Sequence, residues 1–234
     1  MRPEGEVWAV IVAAGSGSRF GAYKQFASLR GHEVVEWSLR TAGHVCDGTV
    51  LVVPAELRQQ YLGRASRVVG GGQTRPASVR AGIEAVPAEV AIVAVHDAAR
   101  PLASVALWEA VIAAVRQGAE AAVPCLPVTD TIKQRRIDGG LVTLERDGLV
   151  AAQTPQAFLA TALRAAHAGG SDATDDAALV EAKGGRVVEV LGEVNNLKIT
   201  SHVDLMLAEA LLEQARHPTG PLPPLAPARA DAPL

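Results

Sequence analysis

The most informative segment of this 234-residue chain spans residues 7 to 24 and reads Val7-Trp8-Ala9-Val10-Ile11-Val12-Ala13-Ala14-Gly15-Ser16-Gly17-Ser18-Arg19-Phe20-Gly21-Ala22-Tyr23-Lys24. Its first half is almost continuously apolar and too short to cross a membrane, which is typical of a strand buried on both faces. Its second half changes abruptly to small residues and then to two cations, Arg19 and Lys24. We expect the strand to lead into an anion-binding loop, because the backbone at Gly15 and Gly17 lets main-chain groups approach a flat base or a phosphate.

The spacing of this loop excludes two familiar phosphate-binding motifs. A dinucleotide-binding fingerprint that starts at Gly15 requires glycine at position 20, and a P-loop requires Gly-Lys at positions 20 and 21, whereas the chain has Phe20 and Gly21. An ordinary strand-to-helix turn with two solvated cations is the alternative interpretation, since glycine-rich loops also occur for purely structural reasons.

Composition limits the classes of protein to consider. The chain is 49% hydrophobic and 3% aromatic with a net charge of −3, so it can bury a substantial core as one domain and carries no overall positive field for nucleic acid. Cys46 and Cys125 are far apart and the six histidines form no His-x-x-x-His pair, which argues against a zinc enzyme. The absence of a secretory leader and of a long apolar run predicts a cytoplasmic protein with no membrane partner.

Apolar strands and amphipathic helices alternate along the chain. This alternation is typical of an α/β protein with an open sheet. Helical periodicity is clearest after residue 34 and after residue 104. Beyond the first strand, the predicted strands cover residues 48–53, 67–69, 90–95, 119–125 and 186–190.

A second glycine-rich loop follows the strand at residues 67–69. Gly70, Gly71 and Gly72 precede Thr74, a suitable helix cap, and Pro76 lies in the first turn of the predicted helix. A helix N-terminus presents free N–H donors, so this element is a candidate binding loop. A structural turn explains the glycines equally well.

Charged residues appear where the strand at residues 90–95 ends. Asp97 and Arg100 follow it, and ligands of open α/β sheets bind outside the carboxyl ends of the strands. Both residues are therefore candidate site residues. The alternative is a capping aspartate and a surface arginine.

Two regions depart from the α/β pattern. Residues 128–134 and 140–146 alternate polar and apolar side chains around Asp138-Gly139-Gly140, which predicts a β-hairpin arm that projects from the main sheet. Such arms commonly pair with a second subunit, because an isolated hairpin is marginally stable. Residues 217–234 contain too many prolines for helix or sheet and predict a disordered tail, with an SH3-type ligand as the alternative to a spacer.

Five separated segments together resemble the 2-C-methyl-D-erythritol 4-phosphate cytidylyltransferases. The order and spacing of these segments agree with that family across about residues 7–215. His-Asp-Ala-Ala-Arg-Pro and Asn-Leu-Lys-Ile-Thr are the most specific of their motifs. The segments are residues 13–19 with 24–26, 71–79, 95–101, 130–133 and 196–200.

The resemblance implies a Rossmann-like nucleotidyltransferase fold, three-layered with a mostly parallel central sheet, over residues 1–216. It implies a homodimer in which the arm at residues 128–150 reaches into the partner's active site. It also implies the reaction, in which the 4-phosphate of the acceptor attacks the α-phosphorus of CTP in the presence of Mg²⁺. The products are 4-diphosphocytidyl-2-C-methyl-D-erythritol and pyrophosphate, on the methylerythritol phosphate route to isoprenoid precursors.

The resemblance also assigns roles to particular residues. The catalytic set, which stabilises the charged transition state and positions the incoming phosphate, is Arg19, Lys24, Arg146 and Lys198. The CTP-binding set is Ala13, Ala14, Gly15, Gly17, Gly72, Gln73 and Ser78. The set expected to bind the methylerythritol phosphate is Asp97, Arg100, Thr131, Arg146 and Thr154, and Asp97 is also the candidate Mg²⁺ ligand.

Two features differ from the family pattern. Gln73 stands where family members often carry aspartate, which backbone recognition of the base tolerates. The segment between Arg19 and Lys24 is shortened, and Tyr23 occupies a place where proline is usual, so the assignment of Arg19 is stronger than that of Lys24. Two other functions stay open from the residues: a cytidylyltransferase for another polyol phosphate such as ribitol 5-phosphate, and a nucleotide sensor, which needs no transition-state cations.

Overall fold

The apolar runs of the sequence form one eight-stranded sheet in the computed structural model, which describes residues 4–15, 23–169 and 175–214. The strands in these ranges are β1 Val7–Val12, β2 Ser28–Leu29, β3 His32–Glu33, β4 Gly48–Val53, β5 Arg67–Gly70, β6 Ile92–Asp97, β7 Ala121–Pro127, β8 Lys133–Arg135, β9 Leu141–Thr143, β10 Val150–Ala152, β11 Gln156–Leu159 and β12 Val187–Leu191. The α-helices are α1 Val34–Val45, α2 Arg58–Tyr61, α3 Arg75–Glu84, α4 Val105–Arg116, α5 Ala160–His167, α6 Asp176–Ala182 and α7 His202–Gln214. Short 3₁₀ helices lie at Lys24–Phe26 and Ala55–Leu57.

The main sheet has the order β10-β7-β11-β6-β1-β4-β5, and β12 also pairs with β7. Strands β5, β4, β1 and β6 run parallel to one another, and β12 pairs parallel with β7. Strands β10 and β11 are antiparallel to β7, and β11 is antiparallel to β6 as well. The expected mostly parallel α/β sheet is therefore confirmed.

Helices cover both faces of the sheet. Successive side chains of β1 point in opposite directions, so neighbouring residues of this strand pack against different helices. Val10 joins a buried cluster to which α3, α5 and α6 contribute Val79, Leu163 and Val180. Ile11, the next residue, joins the opposite cluster, in which Leu39 of α1 and Trp108 of α4 are buried. Both faces of β1 are thus buried, as its apolar run predicted, and the three layers that the family resemblance implied are present.

The strand predicted at residues 90–95 is displaced by two residues. Strand β6 pairs with β1 from Val7↔Ile92 to Val12↔Asp97, so it continues through His96 to Asp97. The hydrogen-bond ladder, not the apolar character of the side chains, determines where this strand ends. Strand β11 was not predicted, because four residues after Pro155 are too few to establish a period.

The predicted hairpin is present as a separate two-stranded sheet. Strands β8 and β9 pair antiparallel from Lys133↔Thr143 to Arg135↔Leu141, which makes them shorter than predicted. Ile137 and Leu141 of this arm are largely exposed, so the described chain leaves apolar surface on it uncovered. Dimerisation through the arm stays a prediction. The predicted tail at residues 217–234 lies outside the described residues, and within the described ranges no helix is both long and apolar enough to cross a membrane.

Candidate active site

A cleft of about 590 Å³ opens where the parallel strands end. The segment after β1 forms one wall, the segments after β4 and β5 form the other, and the last residue of β6 lies at its floor. This is the edge of an open α/β sheet at which ligands bind. The cleft is lined by Val12, Ala13, Ala14, Gly15, Tyr23, Lys24, Gln25, Pro54, Ala55, Glu56, Gly71, Gly72, Gln73, Thr74, Arg75, Ser78, Asp97, Ala99 and Lys198.

Gln25 fixes the backbone of the segment that follows β1. Its side chain is buried, and its Nε2 donates to the carbonyl oxygens of Ala13 at 2.6 Å and Gly15 at 2.9 Å. The Ala13 N–H donates to Val52 O of β4 at 2.7 Å. Gln25 was not predicted as a site residue, because nothing in its spacing reveals that its amide returns to a loop ten residues earlier.

The two glycine-rich segments approach so closely that side chains are excluded between them. A Cβ atom on Gly71 would lie 2.3 Å from Ala14 Cβ and 2.8 Å from Ser78 Oγ. A Cβ atom on Gly72 would lie 2.5 Å from Ala77 Cβ. These glycines therefore serve close backbone approach, which leaves main-chain groups as the surface of this wall.

The N-terminus of α3 lies at the same wall. Thr74 caps the helix by accepting a hydrogen bond from Ala77 N at 3.2 Å, as predicted. The Ser78 hydroxyl donates to Thr74 O at 3.0 Å, so its oxygen stays close to the loop. Because Thr74 and Arg75 line the cleft, the positive end of the α3 dipole is directed toward it.

Asp97 is the centre of the charged groups in the cleft. Its Oδ2 accepts from Lys198 Nζ at 2.6 Å, and its Oδ1 lies 3.3 Å from Arg75 Nε. Burial acts to raise the pKa of Asp97, but Lys198 and Arg75 outweigh it and hold that pKa well below its usual range. Asp97 is therefore an anion at neutral pH.

Arg75 connects this centre to a second buried carboxylate. Its Nη1 lies 3.0 Å from Asp176 Oδ2, and Asp176 Oδ1 lies 3.1 Å from His167 Nε2. Burial acts to lower the pKa of Arg75, but Asp97 and Asp176 raise it. Arg75 belongs to a segment that carried the family resemblance, yet it had no predicted role, because its partners at 97 and 176 are distant in sequence.

A series of buried hydrogen bonds through Thr154 and His96 fixes the backbone of Asp97. The Asp97 N–H donates to Thr154 Oγ1 at 3.0 Å, and this hydroxyl lies 3.1 Å from His96 Nδ1. His96 Nε2 lies 3.1 Å from the carbonyl oxygen of Arg100. Since a carbonyl can only accept, Nε2 carries the proton and Nδ1 accepts from Thr154. Burial lowers the pKa of His96 to about 4, so the ring is neutral at pH 7.

Arg100 is held between backbone segments. Its Nη1 donates to Asn196 O at 2.8 Å, and its Nη2 donates to Ala152 O at 3.4 Å. Burial lowers its pKa, although Asp97 partly opposes this effect. Asn196 in turn donates to Thr154 O at 2.9 Å. Arg100 therefore fixes the segment that carries Lys198.

The structure separates the predicted site residues into three groups. The predicted residues that line the cleft are Ala13, Ala14, Gly15, Lys24, Gly72, Gln73, Ser78, Asp97 and Lys198. Four described residues are not part of this lining: Arg100 and Thr154 lie behind it, whereas Thr131 and Arg146 lie on the exposed arm. Arg146 Nη1 donates to Thr129 O at 2.6 Å. Gly17 and Arg19 lie outside the described residues.

The candidate Mg²⁺ ligand has spare acceptor capacity. Glu56 and Asp97 are the carboxylates among the described lining residues, and the described ranges contain no cluster of three metal-ligating side chains. Asp97 Oδ1 accepts one long contact, from Arg75 Nε at 3.3 Å, so this oxygen can still coordinate a cation. This donor set fits Mg²⁺, which proteins commonly hold through one or two carboxylates and the phosphates of the substrate.

Comparisons of the sequence identify one family. The family model described as "IspD: 2-C-methyl-D-erythritol 4-phosphate cytidylyltransferase" matches residues 7–214. The 2-C-methyl-D-erythritol 4-phosphate cytidylyltransferase of Rhodococcus opacus is 44% identical over 223 residues, which cover 91% of this chain and 98% of that protein.

Solved structures agree with the sequence comparison. A crystal structure of 2-C-methyl-D-erythritol 4-phosphate cytidylyltransferase from Thermus thermophilus superposes with a TM-score of 0.75 at 36% identity, covering 87% of this chain and 98% of that chain. The 4-diphosphocytidyl-2C-methyl-D-erythritol synthase of Anaerococcus prevotii gives a TM-score of 0.76 at 30% identity, covering 89% and 99% of the two chains. Fold and sequence thus point to the same group of proteins.

Proposed function

The chain belongs to the 2-C-methyl-D-erythritol 4-phosphate cytidylyltransferase family, and from this premise we propose how its cleft performs the reaction. The enzyme is a CTP-dependent nucleotidyltransferase that transfers CMP to 2-C-methyl-D-erythritol 4-phosphate in isoprenoid biosynthesis. One observation supports the assignment of the cleft: two glycine-rich backbone walls, Lys24, Lys198 and Asp97 converge at the carboxyl ends of the parallel strands.

In this proposal, the cytidine half of CTP lies against the main-chain groups that the two glycine-rich walls present to the cleft. The segments at residues 13–15 and 72–73 present main-chain groups that can hydrogen-bond to the edge of the base. The contact between Ala14 and the Gly71 backbone sets the distance between these walls. Base recognition by backbone groups explains why Gln73 is compatible with the function, since its side chain need not read the base.

Cations, and not a protein nucleophile, carry the chemical step. A phosphate oxygen of the acceptor forms a bond to the α-phosphorus of CTP, while the bond from that phosphorus to the bridging oxygen breaks and pyrophosphate leaves. Such transfers depend on positioning and neutralisation of negative charge. Lys24 and Lys198 supply positive charge from within the cleft. Arg19, which the structure does not describe, is proposed to have the same role. Mg²⁺ held by the CTP phosphates and Asp97 would neutralise further charge on the transferring group.

Lys198 is placed to receive the acceptor phosphate. Its side chain is 40% exposed while Nζ is held at 2.6 Å by Asp97, so the ammonium group is both oriented and accessible. An anion that enters the cleft can therefore contact Nζ without any rearrangement of the backbone. Asp97 orients the cation, and Arg75 keeps Asp97 ionised.

The rest of the acceptor site is proposed to come from a second copy of the chain. Thr131 and Arg146 lie on an arm that does not contribute to the lining of the described cleft. The largely exposed Ile137 and Leu141 give that arm apolar surface suited to a subunit contact. A homodimer in which each arm serves the partner's cleft would join these residues to Lys198. The proposed location is the cytoplasm, since both substrates are charged metabolites, with no membrane or nucleic-acid partner.

Pyrophosphate release with CTP, Mg²⁺ and each acceptor tests the assignment. We expect turnover with 2-C-methyl-D-erythritol 4-phosphate at a higher kcat/KM than with ribitol 5-phosphate, and loss of turnover in EDTA. A preference for ribitol 5-phosphate would overturn the named acceptor. Tight CTP binding without turnover on either acceptor would indicate a nucleotide sensor instead.

A further inference from the structure

A tyrosine and a glutamate meet across the mouth of the cleft. The Tyr23 hydroxyl donates to Glu56 Oε1 at 2.7 Å, although the two residues are 33 positions apart. Tyr23 belongs to the wall that follows β1, and Glu56 belongs to the 3₁₀ helix that follows β4. Both residues line the cleft, and neither has a role in the function proposed above.

Lys24 lies between two residues whose side chains are anchored. On its C-terminal side, Gln25 is fixed by the carbonyls of Ala13 and Gly15, and the Phe26 ring packs 4.7 Å from that of Tyr61. On its N-terminal side, Tyr23 is tied to Glu56. The backbone that presents Lys24 to the cleft is thus fastened on both sides.

The backbone of Tyr23 has a conformation that a proline ring would enforce. Its φ is −70°, within the range of about −65 ± 15° to which proline is locked. Tyrosine has no covalent restraint on φ. The backbone hydrogen bond from Phe26 N to Tyr23 O at 3.0 Å and the side-chain contact with Glu56 are the contacts that hold this conformation. The contact crosses from one wall of the cleft to the other, which also couples Lys24 to the wall after β4.

We propose that Tyr23 and Glu56 form a positioning pair that holds Lys24 in its catalytic orientation. This inference rests on the proposed function, because it takes Lys24 to neutralise charge on the transferring group. The hydrogen bond carries the effect, whereas the charge of Glu56 is incidental. A small displacement of a charged group costs catalytic rate before it costs binding of either substrate.

Conservative variants separate the hydrogen bond from other roles of these side chains. Tyr23→Phe keeps the ring and removes the donor, and Glu56→Ala removes the acceptor. Each is expected to lower kcat by roughly fivefold, the effect of one hydrogen bond of about 1 kcal/mol. KM for CTP and for the acceptor should stay within about twofold. The double variant should lose no more than either single variant, because both remove the same bond.

Two further variants test whether kcat is kept when the hydrogen-bond acceptor or the restraint on φ is supplied in another way. Glu56→Gln retains an oxygen acceptor and should keep most of the activity. Tyr23→Pro restores the restraint on φ without the hydroxyl and should recover kcat relative to Tyr23→Phe. Activity of Glu56→Gln as low as that of Glu56→Ala would overturn the proposal in favour of a role for the charge. Additive losses in the double variant would also overturn it.

Tyr61 offers a matched control. Its hydroxyl donates to Glu33 Oε1 at 2.9 Å, in a tyrosine–glutamate pair that does not belong to the cleft lining. Tyr61→Phe keeps the ring that packs against Phe26 and removes only the hydroxyl, so kcat should stay unchanged. Thermal melts of all variants should coincide within a few degrees. A loss of kcat in Tyr61→Phe equal to that in Tyr23→Phe would overturn the positioning role.

Combining Tyr23→Phe with Lys24→Ala distinguishes a failure of the positioning pair from a failure of the proposed role of Lys24. If Tyr23 acts through Lys24, Tyr23→Phe should have no further effect on kcat in a Lys24→Ala background. Wild-type kcat in Lys24→Ala alone would refute the proposed role of Lys24. A large loss in Lys24→Ala together with wild-type kcat in Tyr23→Phe would refute only the positioning pair.

Discussion

The cleft and the arm carry predicted residues for the same acceptor, yet the chain constructs them in opposite ways. Asp97 lies in a buried network that fixes its backbone, both carboxylate oxygens and the neighbouring Lys198. Arg146 lies on the exposed arm, beyond the end of β9 at Thr143, with a hydrogen bond to Thr129 O. The difference teaches that a single chain preorganises Asp97 and Lys198 of the proposed acceptor site, whereas the position of Arg146 depends on what the arm contacts.

The largest effect is expected in the cleft. Lys198→Ala should lower kcat by about 100- to 1,000-fold, the scale of a lost transition-state contact, because Asp97 then loses its partner and the phosphate its cation. Steady-state pyrophosphate release measures this loss. Lys183→Ala, at an exposed position after α6, is the control and should retain wild-type rates. If kcat of Lys198→Ala were within a few-fold of the wild-type value, the assignment of this cleft as the catalytic centre would be wrong.

The buried support of the cleft should respond to acid. The pKa of His96 falls from its usual 6.5 to about 4 in the folded chain, so the unfolded chain binds more protons between these values. Stability contributed by neutral His96 is therefore present above about pH 6.5 and is lost as pH falls toward 4, by about 3 kcal/mol in total.

Urea unfolding across this pH range, together with NMR titration of the ring, tests the expectation. A titration of His96 near pH 6.5 would show that the chain of hydrogen bonds behind Asp97 does not keep the ring neutral.

A smaller effect is expected on the arm. Arg146→Ala should raise KM for the acceptor by about tenfold and leave KM for CTP unchanged, since a charge-assisted hydrogen bond contributes about 1.5 kcal/mol or more. Initial rates at varied concentrations of each substrate separate the two constants. Equal increases in both would place Arg146 at the nucleotide.

Mixed oligomers test whether the arm serves a partner. When Arg146→Ala and Lys198→Ala chains are refolded together in equal amounts, a mixed dimer with arms exchanged between clefts contains one intact site. The assay uses acceptor concentrations well below the wild-type KM, where Arg146→Ala dimers keep about a tenth of wild-type activity and Lys198→Ala dimers almost none. Activity of the mixture should then be about a quarter of wild type, since half the dimers are mixed and each has one of two sites intact. No recovery would indicate that each arm serves its own cleft.

The smallest effect on stability is expected from a substitution in the exposed apolar surface of the arm. Leu141→Ser should change the free energy of unfolding of the domain by no more than about 0.5 kcal/mol, because the side chain is 64% exposed. Leu51→Ser in β4, where the side chain is fully buried, should unfold the domain. Sedimentation at several concentrations should show weaker dimerisation of Leu141→Ser. Unchanged association would exclude this surface from the interface.

The sequence was most informative where local pattern and tertiary structure coincide. The apolar runs that became β1 and β4 were visible because both faces of these strands are buried, and the Thr74 cap was visible because capping is local. The alternation that predicted the arm reflects one polar face on each strand, although β8 and most of β9 are exposed on both faces in this chain. Each of these features is specified within about ten residues.

The remaining features depend on contacts that no short window contains. The side chain of Gln25 donates a hydrogen bond to the carbonyl oxygen of Ala13, 12 positions earlier. Arg75 forms an ion pair with Asp176, 101 positions later. Strand β11 is held by the ladders on both sides and not by its own composition. Thr154 and Arg100, expected to touch the acceptor, have hydrogen bonds to the protein that only the assembled fold reveals.

The row formed by Asp176, Arg75, Asp97 and Lys198 has a consequence for proton linkage. Its charges alternate in sign, so when an incoming phosphate draws Lys198 away from Asp97, Arg75 still stabilises the carboxylate. Asp97 therefore stays ionised, and acceptor binding neither takes up nor releases a proton at this group near pH 7. In calorimetry in EDTA at about pH 8, where the CTP complex does not turn over and the acceptor phosphate is already a dianion, the observed heat of acceptor binding should be the same in phosphate-free buffers of different ionisation enthalpy.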